Sequence, residues 1–234
     1  MKIVLTNDGS RTLYSESADQ CFHSESGALS ESQTVYLQNS GVLNRLKNGQ
    51  PTRVLEIGLG TGFNFLLTAD LAIEFETRLD YVGIDLGIPA SKQLRELCFE
   101  SFIRDQGLPG TWYQIADSNE PVNLHQLSPH VVLTTVLEPA ETAILDTERF
   151  PIRSFDSVYM DAFSPNRSPE LWTPEFLQQL GRLLKPNGTL TTYCVKSVIQ
   201  KRVTEAGFQV QCLPGPEGGK RQVLLATRIE SFES

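Results

Sequence analysis

Arg53-Val54-Leu55-Glu56-Ile57-Gly58-Leu59-Gly60-Thr61-Gly62-Phe63-Asn64 decides the fold. Its first five residues read as a buried strand, three alternating glycines break it, and Phe63 to Phe75 continues as an apolar helix. A glycine turn between strand and helix lets backbone N–H groups approach a ligand at the helix N-terminus. The spacing narrows the ligand. A dinucleotide fingerprint needs Gly or Ala three residues after Gly60, where Phe63 stands, and no Walker lysine is present, so phosphate is not the obvious ligand. Asp85 ends the next strand, Tyr81-Val82-Gly83-Ile84-Asp85, where an acidic side chain accepts hydrogen bonds from ribose hydroxyls.

Working outward, Ala90 to Phe102 is a second helix, Val131 to Leu137 and Phe155 to Asp161 are β-branched strands, and residues 105–130 read as a loop or insertion. Pro174 to Leu184 is helical, with Thr173 as N-cap and Pro174 at the first helical position, and Lys185-Pro186-Asn187-Gly188 ends it. Thr189 to Val195 is a strand, Val198 to Ala206 a helix closed by Gly207, and Phe208 to Leu213 and Gln222 to Thr227 are two strands with only a loop between them, hence antiparallel. The βαβ alternation predicts a mostly parallel sheet. Upstream, residues 2–6 and 11–15 flank Asn7-Asp8-Gly9-Ser10 as a hairpin, and Ser26 to Leu46 carries Leu29, Val35, Tyr36, Leu37, Val42 and Leu46 at helical spacing. The expected organisation is an appendage of hairpin and helix over 1–50 and an α/β domain over 51–234.

A chain of 234 residues, 40% hydrophobic and 21% charged, is that of a soluble globular protein with room for one such domain. The N-terminus has an apolar run of only three residues before a turn, and no later stretch approaches the roughly 20 apolar residues of a bilayer span, so a cytoplasmic location and no membrane partner are expected. Cys21, Cys98, Cys194 and Cys212 show no C-x-x-C spacing, and His23, His125 and His130 do not complete a ligand set, so reduced thiols and no metal are expected. A net charge of -8 argues against a protein that coats nucleic acid by bulk charge. That charge is unevenly distributed. Arg182 to Arg228 holds eight basic and two acidic residues, a net of +6, and the other 187 residues carry -14.

Glu56-x-Gly58-x-Gly60-x-Gly62 with Asp85 resembles the S-adenosylmethionine site of class I methyltransferases, which implies their Rossmann-like fold and cofactor contacts from Glu56, Gly58, Gly60, Gly62, Asn64 and Asp85. The likeness extends through Asp8-Gly9-Ser10-x-Thr12-Leu13-Tyr14-Ser15, His23-Ser24-x-x-Gly27-Ala28-x-x-Glu31-Ser32, Lys185-Pro186-x-Gly188-x-Leu190-x-Thr192-Tyr193-Cys194-x-Lys196 and Pro214-Gly215-Pro216. Its most specific element is Asp161-Ala162-Phe163-Ser164-Pro165-x-x-x-Pro169-Glu170-Leu171-Trp172-Thr173. Together these blocks resemble the MnmD family, which includes the N-terminal methyltransferase domain of MnmC. The resemblance implies methylation of the exocyclic amine of 5-aminomethyl(-2-thio)uridine at the tRNA wobble position, with S-adenosylmethionine as cofactor and the tRNA anticodon region as partner. It also implies that the chain carries the methyl-transfer half without the flavin-dependent oxidase of MnmC. Related sequences carry Gly-Asp-Ala where this chain has Leu137-Glu138-Pro139-Ala140, so Glu138 or, less directly, Asp117 stands as the adenine-contacting acid.

Methyl transfer from a sulfonium is an in-line displacement that needs a neutral amine about 3 Å from the methyl carbon. A carboxylate beside the nitrogen accepts its proton and orients the lone pair. Asp161, at the carboxyl end of a parallel strand, is the candidate. Ser164-Pro165 stiffens the loop after it, and Phe163 and Trp172 offer either a face for the uracil ring or core packing. Glu31 is a candidate for closing over the cofactor or amine. Lys196, Lys201, Arg202, Lys220 and Arg221 are candidates for the phosphates flanking the wobble base. The competing reading is a small-amine methyl- or aminopropyltransferase of the same fold, favoured by global acidity and disfavoured by the +6 segment. Oligomeric state stays open, with a monomer as the default.

Overall fold

The computed structural model describes residues 1–118 and 120–229. Along the chain run β1 (Lys2–Leu5), β2 (Arg11–Ser15), β3 (Gln20–Cys21), α1 (Ala28–Glu31), a π-helix (Ser32–Gln38), α2 (Val42–Lys47), β4 (Thr52–Ile57), α3 (Phe63–Glu74), β5 (Leu79–Asp85) and α4 (Ser91–Arg95). They are followed by α5 (Gly107–Ala116), β6 (Val122–Gln126), β7 (Val131–Leu137), α6 (Ala140–Ala143), β8 (Phe155–Met160), α7 (Pro174–Leu183), β9 (Leu184–Thr192), α8 (Ser197–Glu205), β10 (Phe208–Pro214) and β11 (Gln222–Arg228).

The main sheet has the order β10-β11-β9-β8-β4-β5-β7-β6, and β1-β2-β3 form a separate small sheet. From β9 to β7 the neighbours are parallel, whereas β6 runs antiparallel to β7 and β11 lies antiparallel between β9 and β10. The parallel strands are apolar throughout because both faces are covered. Val54, Tyr81, Leu133 and Tyr159 face one buried cluster, against α3 and α5, while Leu55, Ile57, Val82, Ile84, Val158 and Met160 face the other, against α7 and α8. Leu13, Ala28, Val35, Tyr36, Val42 and Leu46 join the first cluster, so residues before β4 complete the core on that face. Strand order reverses between β4 and β8, the crevice where open α/β sheets bind ligands.

The expected α/β class, the mostly parallel sheet, the N-terminal hairpin and the antiparallel C-terminal pair are all present. The Thr173 cap is also present, its hydroxyl accepting from Phe176 N. Three local expectations are corrected. Residues 105–130 are not a loop: α5 and the edge strand β6 fall there, their period obscured because Gly107, Pro109 and Gly110 sit within the helix. The helix expected over 26–46 is split by a π-helix and by Gly41 at φ 81, and the one expected over 90–102 stops at Arg95, with Cys98 at φ 55 before a 3-10 turn at Phe99–Ser101. Among the described residues, no helix is long and apolar enough to cross a membrane.

Candidate active site

The glycine turn brings the ends of β4 and β8 together. Gly58 has φ +90, and a Cβ on it would lie 2.7 Å from the Asp161 carbonyl oxygen. Asp161 N donates to the Ile57 carbonyl at 2.9 Å, so the catalytic candidate rests directly on the turn. Gly62, also left-handed at φ +77, faces inward instead: a Cβ there would meet the Trp112 indole at 2.3 Å. Trp112 Nε1 donates to the Thr61 carbonyl at 2.8 Å. Gly62 therefore holds the turn against α5 and is not among the residues lining the cleft.

A cleft of about 490 Å³ opens at this point. Gly58, Gly60, Thr61, Asp85, Glu138, Asp161 and Phe163 line it, with Phe22 and His23 reaching over from the N-terminal segment. Asp85 accepts from Gly60 N at 2.8 Å and from Leu86 N at 2.7 Å, which locks the turn, and the residue lines the cleft. Glu138 lies in the cleft wall and pairs with Arg149 at 3.2 Å. Asp117, the other candidate acid, accepts from Ser91 N instead and is not part of the wall. His23 is buried, and that burial pulls its imidazole down to a pKa of about 4, so it lines the cleft as a neutral ring.

Asp161 is gripped on both oxygens. Tyr36, on the π-helix, donates its hydroxyl to Oδ1 at 2.5 Å, and Asn64 donates Nδ2 to Oδ2 at 2.8 Å. The same Nδ2 donates to Glu56 Oε1 at 2.8 Å, and the Tyr81 hydroxyl donates to Glu56 Oε2 at 2.8 Å. Glu56 is thus buried behind Asn64 and linked to Asp161 through it. Burial pushes Glu56 up to about 8. Burial, then the charges of Glu31 and Glu56, hold Asp161 well above the usual carboxylate range, against the opposing pull of the Tyr36 and Asn64 hydrogen bonds. A carboxyl so raised is a stronger base than an exposed carboxylate. The π-helix fits this role, since such segments are uncommon and concentrate at functional sites.

On the other side of Asp161 stand Tyr193, Lys220 and Glu31. Tyr193 donates its hydroxyl to the Ala162 carbonyl at 2.9 Å, and Lys220 Nζ lies 4.1 Å above the Tyr193 ring. Glu31, 4% exposed, accepts from Ser24 N at 3.0 Å. Lys196 is nearby, with Nζ 3.4 Å from Asn166 Oδ1 on the loop after Asp161. Arg221 is exposed on the same turn as Lys220.

Other expected contacts are separated from the site. Trp172 is fully buried at 0% exposure, and its Nε1 donates to the Phe163 carbonyl at 2.9 Å, so it fixes the loop and offers no face to a base. Phe163 remains in the cleft wall, edge-on to Phe22 at 5.2 Å. Pro165 is half-buried in the loop without lining the cleft. Arg202 donates to the Trp172 carbonyl at 2.8 Å, and Lys201 pairs with Glu205 one turn along α8, so neither faces the cleft. Sequence reasoning missed Tyr36, Tyr193 and His23. Tyr36 was counted as an apolar helix position, yet a buried tyrosine hydroxyl demands a partner, and that demand was the available signal.

A mostly parallel sheet with its ligand cleft at the switch point defines a Rossmann-like nucleoside-cofactor enzyme. The chain belongs to the S-adenosyl-L-methionine-dependent methyltransferase family, whose model matches residues 108–229. It is 30% identical over 229 residues to the tRNA 5-methylaminomethyl-2-thiouridine biosynthesis bifunctional protein MnmC of Cupriavidus metallidurans, covering 95% of this chain and 33% of that protein. The Leptospira interrogans protein of that name is 26% identical, covering 98% and 36%. The chain thus spans about a third of the length of these relatives. Among solved structures, MNMC2 from Aquifex aeolicus superposes with a TM-score of 0.77 at 24% identity, covering 96% of this chain and 69% of that one. Spermidine synthase from Thermotoga maritima gives 0.52 at 15%, covering 98% and 72%. Both share the fold.

The cleft fits the family's cofactor. Thr61 Oγ1 is buried in the glycine turn without a hydrogen-bond partner among the described residues. The wall carries Asp85, Glu138, Glu141, Asp161 and Glu170 and, among the described residues, no lysine or arginine, which suits a sulfonium that also bears an ammonium. Gly58 to Thr61 would hold its amino-acid portion, Asp85 the ribose and Glu138 the adenine side.

Proposed function

We propose that this chain transfers a methyl group from S-adenosylmethionine to the aminomethyl nitrogen of 5-aminomethyl(-2-thio)uridine at the tRNA wobble position. The observation that carries the reading is Asp161, held between Tyr36 and Asn64 at the inner end of the acidic cleft. The relatives' printed role in 5-methylaminomethyl-2-thiouridine biosynthesis supports the choice of nucleoside.

The bound cofactor supplies an electrophilic methyl group. Asp161 receives the incoming ammonium and takes its proton, leaving a lone pair directed at the cleft. Tyr36 and Asn64 fix the carboxylate plane so that the nitrogen has one approach. Phe22 and Phe163 screen the reacting atoms from water at the cleft wall. Lys196 and Arg221 form the basic rim that meets the anticodon backbone.

The test is transfer of labelled methyl to tRNA lacking only the final methyl group, read by nucleoside mass spectrometry. Wild-type protein should yield 5-methylaminomethyl uridine, and Asp161→Ala should abolish turnover while retaining cofactor affinity by calorimetry. Normal turnover in Asp161→Ala would remove the assigned role, and absence of product from cofactor-loaded wild type would remove the substrate assignment.

A further inference from the structure

Three groups beside the reacting carboxylate have no part in the methyl-transfer step itself. Glu31 is 4% exposed, and its Oε1 accepts from Ser24 N at 3.0 Å. A carboxylate this buried is costly to keep charged unless a donor or a cation stands beside it. Glu31 immediately precedes the π-helix that delivers Tyr36 to Asp161, so one continuous segment carries both Glu31 and the tyrosine that holds Asp161. Lys220 approaches from the opposite end of the chain. Its loop closes through Gly215 N to the Arg221 carbonyl at 3.0 Å, and a Cβ on Gly215 would lie 1.9 Å from the Lys220 carbonyl, so the turn needs glycine there. A Cβ on Gly219 of the same loop would lie 3.7 Å from Ser26 Cβ, which seats the loop against the segment that carries Glu31. Lys220 Nζ sits over the Tyr193 ring, and the Tyr193 hydroxyl is tied to the Ala162 carbonyl next to Asp161. The charges of Glu31, Asp161 and Lys220 all act on one another.

An aminomethyl uracil presents three polar groups in sequence along one edge: the amine on C5, the carbonyl on C4 and the imide N–H at position 3. Reading that edge takes an acceptor, a donor and an acceptor. We propose that Asp161, Lys220 and Glu31 are that set, with Lys220 donating to the C4 carbonyl and Glu31 Oε2 accepting from the imide N–H, so that this pair selects uracil. This inference rests on the function proposed above. A cytosine ring fails at both positions, because its C4 amine faces Lys220 and its N3 has no proton for Glu31. A polar mismatch at the buried Glu31 discriminates more strongly than shape alone, and the mismatch at Lys220 adds to it.

The experiment uses anticodon stem–loop RNAs bearing 5-aminomethyluridine at the wobble position, its N3-methyl derivative or its 4-thio derivative, with kcat/KM for methyl transfer as the readout. Wild type should lose roughly 10- to 100-fold on the N3-methyl RNA, the cost of a lost hydrogen bond to a charged group, and should also discriminate against the weaker 4-thio acceptor. Glu31→Ala should lower activity on the parent RNA and bring the parent to N3-methyl ratio close to unity. Lys220→Met, at an exposed position, should abolish discrimination against the 4-thio RNA while keeping that against N3-methyl. These ratios are internal to each protein, so partial unfolding of a variant does not move them. Equal turnover of all three RNAs by wild type overturns the base-reading pair and leaves the methyltransferase reading standing. The same holds for Glu31→Ala that retains full discrimination, or Lys220→Met that changes only the salt dependence of binding. Failure of wild type on the parent RNA overturns both.

Discussion

Tyr36→Phe isolates the hydrogen bond that Tyr36 donates to Asp161, the proposed base. The hydroxyl donates to Asp161 Oδ1 at 2.5 Å, and phenylalanine keeps the ring that packs 5.3 Å from Tyr159. A hydrogen bond to a charged group contributes about 1.5–3 kcal/mol. At about 1.4 kcal/mol per pKa unit, its loss raises Asp161 by roughly one to two units. Asp161 already lies well above the usual range because of burial and the neighbouring Glu31 and Glu56, and Tyr36 opposes that rise. Only the ionised carboxylate accepts a proton, so the acid limb of kcat/KM should move to higher pH by about one to two units. On the low-pH flank the variant should be slower by roughly 10- to 100-fold, and on the high-pH plateau it should approach wild type. The assay is methyl transfer to 5-aminomethyluridine RNA across a pH series that covers both limbs of the profile. A uniform drop at every pH with an unmoved midpoint would refute the reasoning, since Tyr36 would then act on substrate or on folding and not through Asp161.

Glu56→Gln tests the buried acid behind Asn64. The native carboxyl titrates at about 8 against an ordinary value of 4.5, so between those values the unfolded chain has released a proton that the fold retains. Wild-type stability should therefore fall as pH rises through this window, by on the order of 3 kcal/mol at neutrality, and the neutral variant should lack that slope. Urea unfolding at both ends of the window measures it, and parallel curves for the two proteins would contradict the burial argument. The basic segment should divide by position: Lys196→Glu and Arg221→Glu should weaken tRNA binding and reduce its salt slope by about one each, whereas Lys201→Glu should have little effect. Filter binding across a salt series checks this, and equal losses at Lys196 and Lys201 would mean a diffuse patch.

Much of the architecture was legible in local sequence. The run Arg53 to Ile57, the glycines after it and the apolar turn of Phe63 onward declared strand, turn and helix because each depends on neighbours within a few residues. Asp85 and Asp161 could be located for the same reason, as each ends a strand whose apolar run is unmistakable. The region around α5 was hidden because glycines and a proline within a helix mimic a loop. The break at the π-helix was hidden because its residues keep nearly the same apolar spacing as an α-helix.

Within the site, residue type and strand position located the glycine turn and the strand-end acids Asp85 and Asp161. Tertiary packing alone decided which of the remaining candidates meet them. Tyr36 and Asp161 lie 125 positions apart, and no local period encodes their contact. Trp172 has an amphipathic ring that suits a binding face as well as a core, and only the filled space around it selects the core. Lys201, Arg202 and Lys220 carry equal charge in the sequence. The helix face of α8 turns the first two toward Glu205 and the Trp172 carbonyl, and the glycine turn between β10 and β11 brings the third to Tyr193. Local propensity sets elements, but a side chain's partner follows from where two distant elements are packed, and the core sets that distance.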